Sequence, residues 1–253
     1  MAGLGQAGEG KVALVTGAGA GIGRAVALRL AETGATVVSS DVDVASGEET
    51  AHLIESGGGT ATFCKADVSV PEEVEALVRY CTDTHGHLDW ACNNAGILGL
   101  SAPMVEYTIA DFDQVIAINL RSVFLCMHYQ LPVMLARNTG AIVNICSEAS
   151  IKGGVASCAY TAAKHGAYGL TKSAALEVAE TGVRVNGVGP GIIHTGIVDR
   201  VTPEKQALAK EMMPSKRYGQ PREIAEAVQW LMSDAASLVN GHLLLADSGW
   251  AAS

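Results

Sequence analysis

Short apolar runs alternate with longer stretches of helical periodicity along most of this chain. Lys11 to Thr16 reads as a strand, followed by glycines and then an apolar-periodic stretch from Ile22 to Glu32. Ala35 to Ser40 predicts a second strand, ended by Asp41, and Ala45 to Ser56 a helix stopped by Gly57-Gly58-Gly59. The alternation continues with a strand over Thr60 to Lys65 and a helix over Pro71 to His85, which has proline in its first turn. Leu88 to Cys92 then leads to a longer helical region within Ile109 to Arg137. Ala141 to Cys146, Val183 to Val188 and Leu243 to Ala246 complete the set of strands, and a helix carrying Tyr160 and Lys164 follows the first of these three.

Strands that read as continuous apolar runs between helices predict a parallel sheet covered on both faces, with right-handed crossovers. The expected fold class is therefore α/β: a Rossmann-type, doubly wound sheet of about seven parallel strands with helices on both faces. The length of 253 residues suits a single domain over residues 11–253, preceded by a flexible Gly-rich tail over residues 1–10.

Composition narrows the function classes. Hydrophobic residues at 49% against 17% charged supply a large buried core. A formal charge of −9 argues against nucleic-acid binding, which needs a basic footprint. No apolar run approaches the ~20 residues of a membrane span, and the first ten residues lack a signal-peptide pattern, so a cytoplasmic protein is expected. The six cysteines (64, 81, 92, 126, 146 and 158) form no C-x-x-C pair and have no His at metal spacing. They read as buried free thiols, and no metal is expected.

Candidate chemistry gathers in three places. Tyr160 and Lys164 are four residues apart, which puts them on one helix face, and Ser147 precedes Tyr160 by thirteen residues. A phenol has an ordinary pKa of roughly 10. A cation about 4 Å away contributes roughly 4 kcal/mol at an effective dielectric of 20, enough to bring Tyr160 toward working pH as a general base or acid. The turn from Thr16 to Gly23 joins strand to helix, and its glycines let backbone amides approach a pyrophosphate at the helix N-terminus. Asp41, at the end of the second strand, can accept hydrogen bonds from an adenosine ribose and would repel a 2′-phosphate. No Arg or Lys lies between Ser39 and Ser46, so NAD is expected over NADP, with Arg24 as the one nearby group that could serve a phosphate.

Together these segments resemble the short-chain dehydrogenase/reductase family from about Lys11 to Gly249. The resemblance is carried by Thr16 to Gly23, Asp67-Val68, Asn93-Asn94-Ala95-Gly96, Asn119, Ser147, Tyr160 with Lys164, and Pro190-Gly191 with Thr195. It implies that Tyr160 is the acid/base, Ser147 binds the substrate oxygen, Lys164 lowers the Tyr160 pKa and holds the nicotinamide ribose, and Asn119 anchors a proton-relaying water. It further implies a cofactor cradle of Gly17, Gly19, Gly21, Ile22, Gly23, Asp41, Asp67, Val68, Asn94, Ala95, Gly96, Tyr160, Lys164, Pro190, Gly191, Ile193 and Thr195. Two positions depart from the pattern: Ser248 where relatives commonly have glycine, and Leu238 where many have an aromatic residue.

The implied activity is hydride transfer between NAD and a secondary alcohol or ketone, resembling the branch that oxidises cyclic alcohols and diols. A covering segment over residues 196–214, with Ile197, Val198, Val201, Leu208, Met212 and Met213, is expected to close over a compact, fairly apolar substrate. Ser147, Ala149, Ile151, Val155 and His194 are the expected substrate neighbours. A 3-oxoacyl thioester reductase is the rival enzyme, and a nucleotide-binding sensor without turnover is the rival of another class. Apolar stretches over Arg121 to Leu135 and Ala162 to Val178, with the family's habit of pairing these helices, lead to an expected homotetramer.

Overall fold

A computed structural model describes residues 7–196 and 202–252, so the anticipated Ile197, Val198 and Val201 lie outside the described residues. The elements run in alternation: β1 (Val12–Thr16), α1 (Gly21–Glu32), β2 (Thr36–Ser40), α2 (Val44–Ser56), β3 (Thr60–Phe63), α3 (Pro71–His85) and β4 (Trp90–Asn93). They continue with α4 (Ile109–Ile116), α5 (Ser122–Ala136), β5 (Gly140–Ile145), α6 (Cys158–Glu177), β6 (Val183–Pro190), α7 (Pro203–Met212), α8 (Pro221–Met232) and β7 (Leu243–Ala246).

The seven strands form one sheet in the order β3-β2-β1-β4-β5-β6-β7, every neighbour parallel. Alternate strand residues point to opposite faces, and both faces are buried. Ala13, Val15, Val37 and Val143 meet Val26 and Leu30 of α1 and Val228 and Leu231 of α8. Val12, Leu14, Val38 and Ile142 meet Leu77 of α3, Val123 and Met127 of α5, and Ala167 of α6. This is why the strands read as unbroken apolar runs. The sequence reversal falls between β1 and β4, and the carboxyl ends of the strands there open a crevice.

Three details depart from expectation. The helical region within Ile109 to Arg137 is interrupted by a π-helical turn at Ala117–Arg121. The helix α8 was not among the expected elements, although Pro221 opens it and Gln220 and Glu223 form a reciprocal cap. Four cysteines are buried as expected, but Cys64 and Cys158 are only half-buried. At the end of the expected tail, the Gly8 amide donates to Thr33 O at 3.0 Å and Ala7 packs against the core.

Beneath the crevice lies a buried polar network. Asn93 Nδ2 donates to Gln130 Oε1 (3.1 Å) and to Asn144 Oδ1 (2.9 Å), and Gln130 Nε2 donates back to Asn93 Oδ1 (2.8 Å). Asn144 Nδ2 donates to Thr171 Oγ1 at 2.9 Å. Each buried group finds a partner, so the network cross-links β4 and β5 to α5 and α6.

The departure at Ser248 has a measurable consequence. Its φ of +58° lies in the left-handed region, where a Cβ is strained. Replacing Ser248 with glycine is expected to stabilise the fold by about 0.5–1 kcal/mol, after the greater entropy of the unfolded glycine is subtracted. The corresponding rise in Tm is about 1–3 °C in a thermal melt, and an unchanged or lower Tm would contradict it.

Candidate active site

A cleft of about 740 Å³ opens at the carboxyl ends of β1, β4, β5 and β6. Gly17, Ala20, Gly21 and Ile22 line it from the first turn, with Asp41, Asp67, Val68, Asn94, Ala95 and Gly96 farther along. Ser147, Tyr160, Lys164, Pro190, Gly191, Ile193 and Thr195 complete the expected part of its wall.

The first turn is shaped for close approach. Gly17 (φ +62°) and Gly21 (φ +55°) hold conformations that favour glycine. A Cβ on Gly17 would sit 2.9 Å from Ala95 Cα, and one on Gly21 would sit 3.1 Å from Thr195 Cγ2. Ala20 at the N-cap of α1 supplies no side-chain hydrogen bond, and the first turn carries no acidic residue. Amide donors and the positive dipole end are thus left for an anion. A dinucleotide pyrophosphate fits this cradle.

Gly19 and Gly23 are absent from the cleft lining and serve packing. A Cβ on Gly23 would strike Gly17 O at 2.1 Å, and one on Gly19 would strike Ser46 Oγ at 2.3 Å. Asn94 braces the turn with its side chain: Nδ2 donates to Thr16 O (2.9 Å) and Gly17 O (3.0 Å). Asp41 Oδ2 accepts from Gly19 N at 2.8 Å, which ties the end of β2 to the same turn. Arg24 is engaged by Glu49 Oε2 (2.5 Å) and Thr50 Oγ1 (3.0 Å) and also donates to Gly19 O of the same turn (2.5 Å). Asp67 Oδ1 accepts from Ser69 N (2.9 Å) and Oγ (2.7 Å), which leaves its carboxylate anchored at the cleft edge.

At the other end, Lys164 is buried and its Nζ donates to Ile145 O at 2.7 Å, 5.7 Å from the Tyr160 ring centroid. Burial lowers the Lys164 pKa. Tyr160 runs against expectation. Burial pushes its phenol up to about 12, a hydrogen bond with Ser147 acts downward, and the charges of Glu148 and Cys146 add to the rise. The ammonium of Lys164 is nearby, but desolvation of the phenol sets the direction in this state. Asn119 is fully buried, with Oδ1 accepting from Ile97 N (2.8 Å) and Nδ2 donating to Ile97 O (2.6 Å). The π-helical turn sets it there.

The substrate neighbours expected beyond Ser147 are not in the cleft wall. Ala149 is buried behind Ser147, Val155 is fully exposed and Ile151 largely so, and His194 points out beside Tyr218. Ile97, Leu98, Glu148, Ile192, Gln206, Ala209, Tyr218 and Trp250 take their place. These come from α7 and from the segments that follow β4, β5, β6, α7 and β7, and a single-element pattern gives no signal for them. Among the described residues, no group of three His, Cys, Asp or Glu is placed to hold a metal, and no helix is long and apolar enough to cross a membrane.

A family model described as enoyl-(acyl carrier protein) reductase, of the short-chain alcohol dehydrogenase type, matches residues 17–251. The chain belongs to the short-chain dehydrogenase/reductase family. Cyclohexanol dehydrogenase of Acinetobacter sp. (strain SE19) is 43% identical over 95% of this chain and 94% of that enzyme. The crystal structure of levodione reductase superposes with a TM-score of 0.93 at 38% identity, covering 97% of this chain and 99% of that one. A candidate 2-deoxy-D-gluconate 3-dehydrogenase from Agrobacterium tumefaciens, solved with bound NADP, gives a TM-score of 0.90 at 37% identity over 98% and 99% of the two chains. As a short-chain dehydrogenase/reductase, this chain is an oxidoreductase that works with a nicotinamide cofactor.

Proposed function

We propose that this enzyme oxidises a compact cyclic secondary alcohol to its ketone, with NAD as acceptor. The observation that carries the reading is the meeting of Ser147, Tyr160 and Lys164 at one end of a cleft whose other end is an uncapped helix N-terminus. Likeness to cyclohexanol dehydrogenase and levodione reductase supports a ring-shaped substrate, and Ile97, Leu98, Ile192 and Trp250 offer apolar walls for it.

A nicotinamide held in this cleft would supply the acceptor for the hydride of the carbinol carbon. The chain's own groups handle the proton and the geometry. Ser147 Oγ positions the substrate oxygen, and the Tyr160 phenolate takes the carbinol proton as the carbonyl forms. Lys164 supplies a fixed positive charge under the ring and a donor for the nicotinamide ribose, held in place by Ile145 O. Asn119 fixes the loop at Ile97 through both of its polar atoms. In the reverse direction, the phenol returns the proton to the developing alkoxide. The preference for NAD is supported by Asp41 in the cleft wall and by Glu49, which occupies the guanidinium of Arg24. Formation of NADH with cyclohexanol and substituted cyclohexanols tests the reading, and no turnover across that panel would overturn it.

The enzyme is further inferred to be a cytoplasmic homotetramer. Phe124 and Leu176 are exposed on α5 and α6, and a shallow groove of about 510 Å³ between these helices is lined by Leu120, Phe124, Gly166, Gly169 and Leu170. A surface of this kind on two adjacent helices suits self-association. Sedimentation should give four times the chain mass of 26.1 kDa, and Phe124→Glu should shift the species to smaller sizes. A parent that sediments only as monomer would reject the assignment.

A further inference from the structure

Among the described residues, Glu148 is the one carboxylate lining the cleft beside Ser147 and Tyr160. It follows Ser147 directly and opens the short 3-10 turn Glu148–Ser150. Its Oε2 accepts a hydrogen bond from Ser147 Oγ at 2.5 Å, while Ser147 Oγ itself accepts from Ala149 N at 3.1 Å. The hydroxyl of Ser147 is therefore shared between Glu148 and the Tyr160 phenol in the free site.

Among the described residues, no Lys or Arg forms an ion pair with this carboxylate. Lys164 Nζ donates to Ile145 O (2.7 Å), and Lys152 Nζ donates to Trp250 O (3.1 Å) and lies 5.1 Å from that ring's centroid. The cleft that Glu148 lines also has apolar walls, among them Ile97, Leu98, Ile192 and Trp250. A carboxylate with no ion pair among the described residues acts strongly on whatever enters. Its influence already reaches Tyr160, where it adds to the upward shift of the phenol.

Oε1 of Glu148 has no hydrogen-bond partner among the described residues. The two oxygens of a gauche vicinal diol lie about one hydrogen-bond length apart. That spacing matches Ser147 Oγ to Glu148 Oε2, so a ring placing one hydroxyl on Ser147 and Tyr160 brings the other to the Glu148 carboxylate. We propose that Glu148 is a specificity-determining residue that accepts a second, vicinal hydroxyl of the substrate and rejects substrates bearing an anionic group. The inference rests on the cyclic-alcohol reading above and adds a substrate class to it.

The test compares kcat/KM with NAD for cyclohexanol, cis- and trans-cyclohexane-1,2-diol and 3-hydroxycyclohexanecarboxylate, across the parent, Glu148→Gln, Glu148→Ala and Glu148→Asp. In Glu148→Ala, the ratio of the better diol to cyclohexanol should fall about tenfold, the effect of one hydrogen bond to a charged group. The ratio of the carboxylate to cyclohexanol should rise about tenfold in both Gln and Ala variants and stay at the parental value in the Asp variant, which keeps the charge. Ratios are read because they are insensitive to any general loss of activity. Ratios unchanged within about twofold, with cyclohexanol still oxidised, would overturn the proposal.

Affinities from Trp fluorescence titration of cyclohexane-1,2-diol and cyclohexanecarboxylate give a readout that needs no turnover. If the parent oxidises none of these alcohols, the cyclic-alcohol reading fails. The affinity ratio, parent against Glu148→Gln, then decides the role of Glu148 by itself.

Discussion

Replacing Tyr160 with phenylalanine is expected to lower kcat/KM for alcohol oxidation by roughly 10³-fold, the middle of the range for a lost general acid or base. The ring stays, so packing against Ala159, Ala163 and Val115 is preserved and Tm should change little. The pH dependence carries a sign that follows from burial. The phenol is pushed up to about 12 from an ordinary 10.0, so the free enzyme holds it protonated through neutral pH. Oxidation needs the deprotonated form, and its rate should climb with pH through the alkaline range. Ketone reduction uses the protonated form and should stay flat until the phenol ionises. An ultraviolet difference titration of parent against Tyr160→Phe should show the free-enzyme phenol still protonated at about pH 10. A variant keeping more than a tenth of the parental rate would remove Tyr160 from the chemistry.

The second large effect is expected at Asp41. Exchanging it for asparagine removes the charge that faces a 2′-phosphate and keeps one carbonyl oxygen. The ratio of kcat/KM for NAD over NADP should fall by roughly 100-fold, the size of a lost charge–dianion repulsion in a partly buried cleft. A stability cost of about 1 kcal/mol accompanies it. Asp41 accepts from both Gly19 N (2.8 Å) and Asp43 N (3.0 Å), and asparagine can satisfy only one of them. Steady-state kinetics with both cofactors checks the ratio, and a change below threefold would place cofactor selection elsewhere. Arg24 is the group to release next, since Glu49 pairs with its guanidinium at 2.5 Å.

Much of this architecture is legible in the chain because strands buried on both faces leave an unmistakable trace. Residues such as Val12 to Val15 and Ala141 to Val143 are apolar at consecutive positions since alternate side chains meet different helices. The glycine turn is readable for a local reason: the left-handed φ at Gly17 and Gly21 has to be met by the residue type on the spot. The helix α8 was also readable, for Ile224, Val228 and Leu231 mark its buried face and Pro221 its start. What the chain does not announce is how distant loops meet. Trp250, Tyr218 and Leu98 share a cleft wall only after the sheet has brought three loops together. The direction of the Tyr160 shift is hidden for the same reason. The four-residue spacing shows the neighbouring ammonium, whereas the dehydration that raises the phenol comes from the assembled site. Asn119 is an intermediate case: its type is a recognisable signature, but its bonds to Ile97 depend on a π-helical turn that sequence periodicity reads as ordinary helix.

The helix that holds the proton-handling pair also presents the bare apolar flank. Inward, α6 carries Lys164 against Ile145 O and Thr171 against Asn144; outward, it offers Gly166, Gly169 and Leu170. Any neighbouring subunit seated there would lean on the back of the catalytic apparatus. Quaternary contact and turnover would then share one rigid rod, and a lesion far out on that flank would be felt as a loosened proton donor before it was seen as a smaller particle.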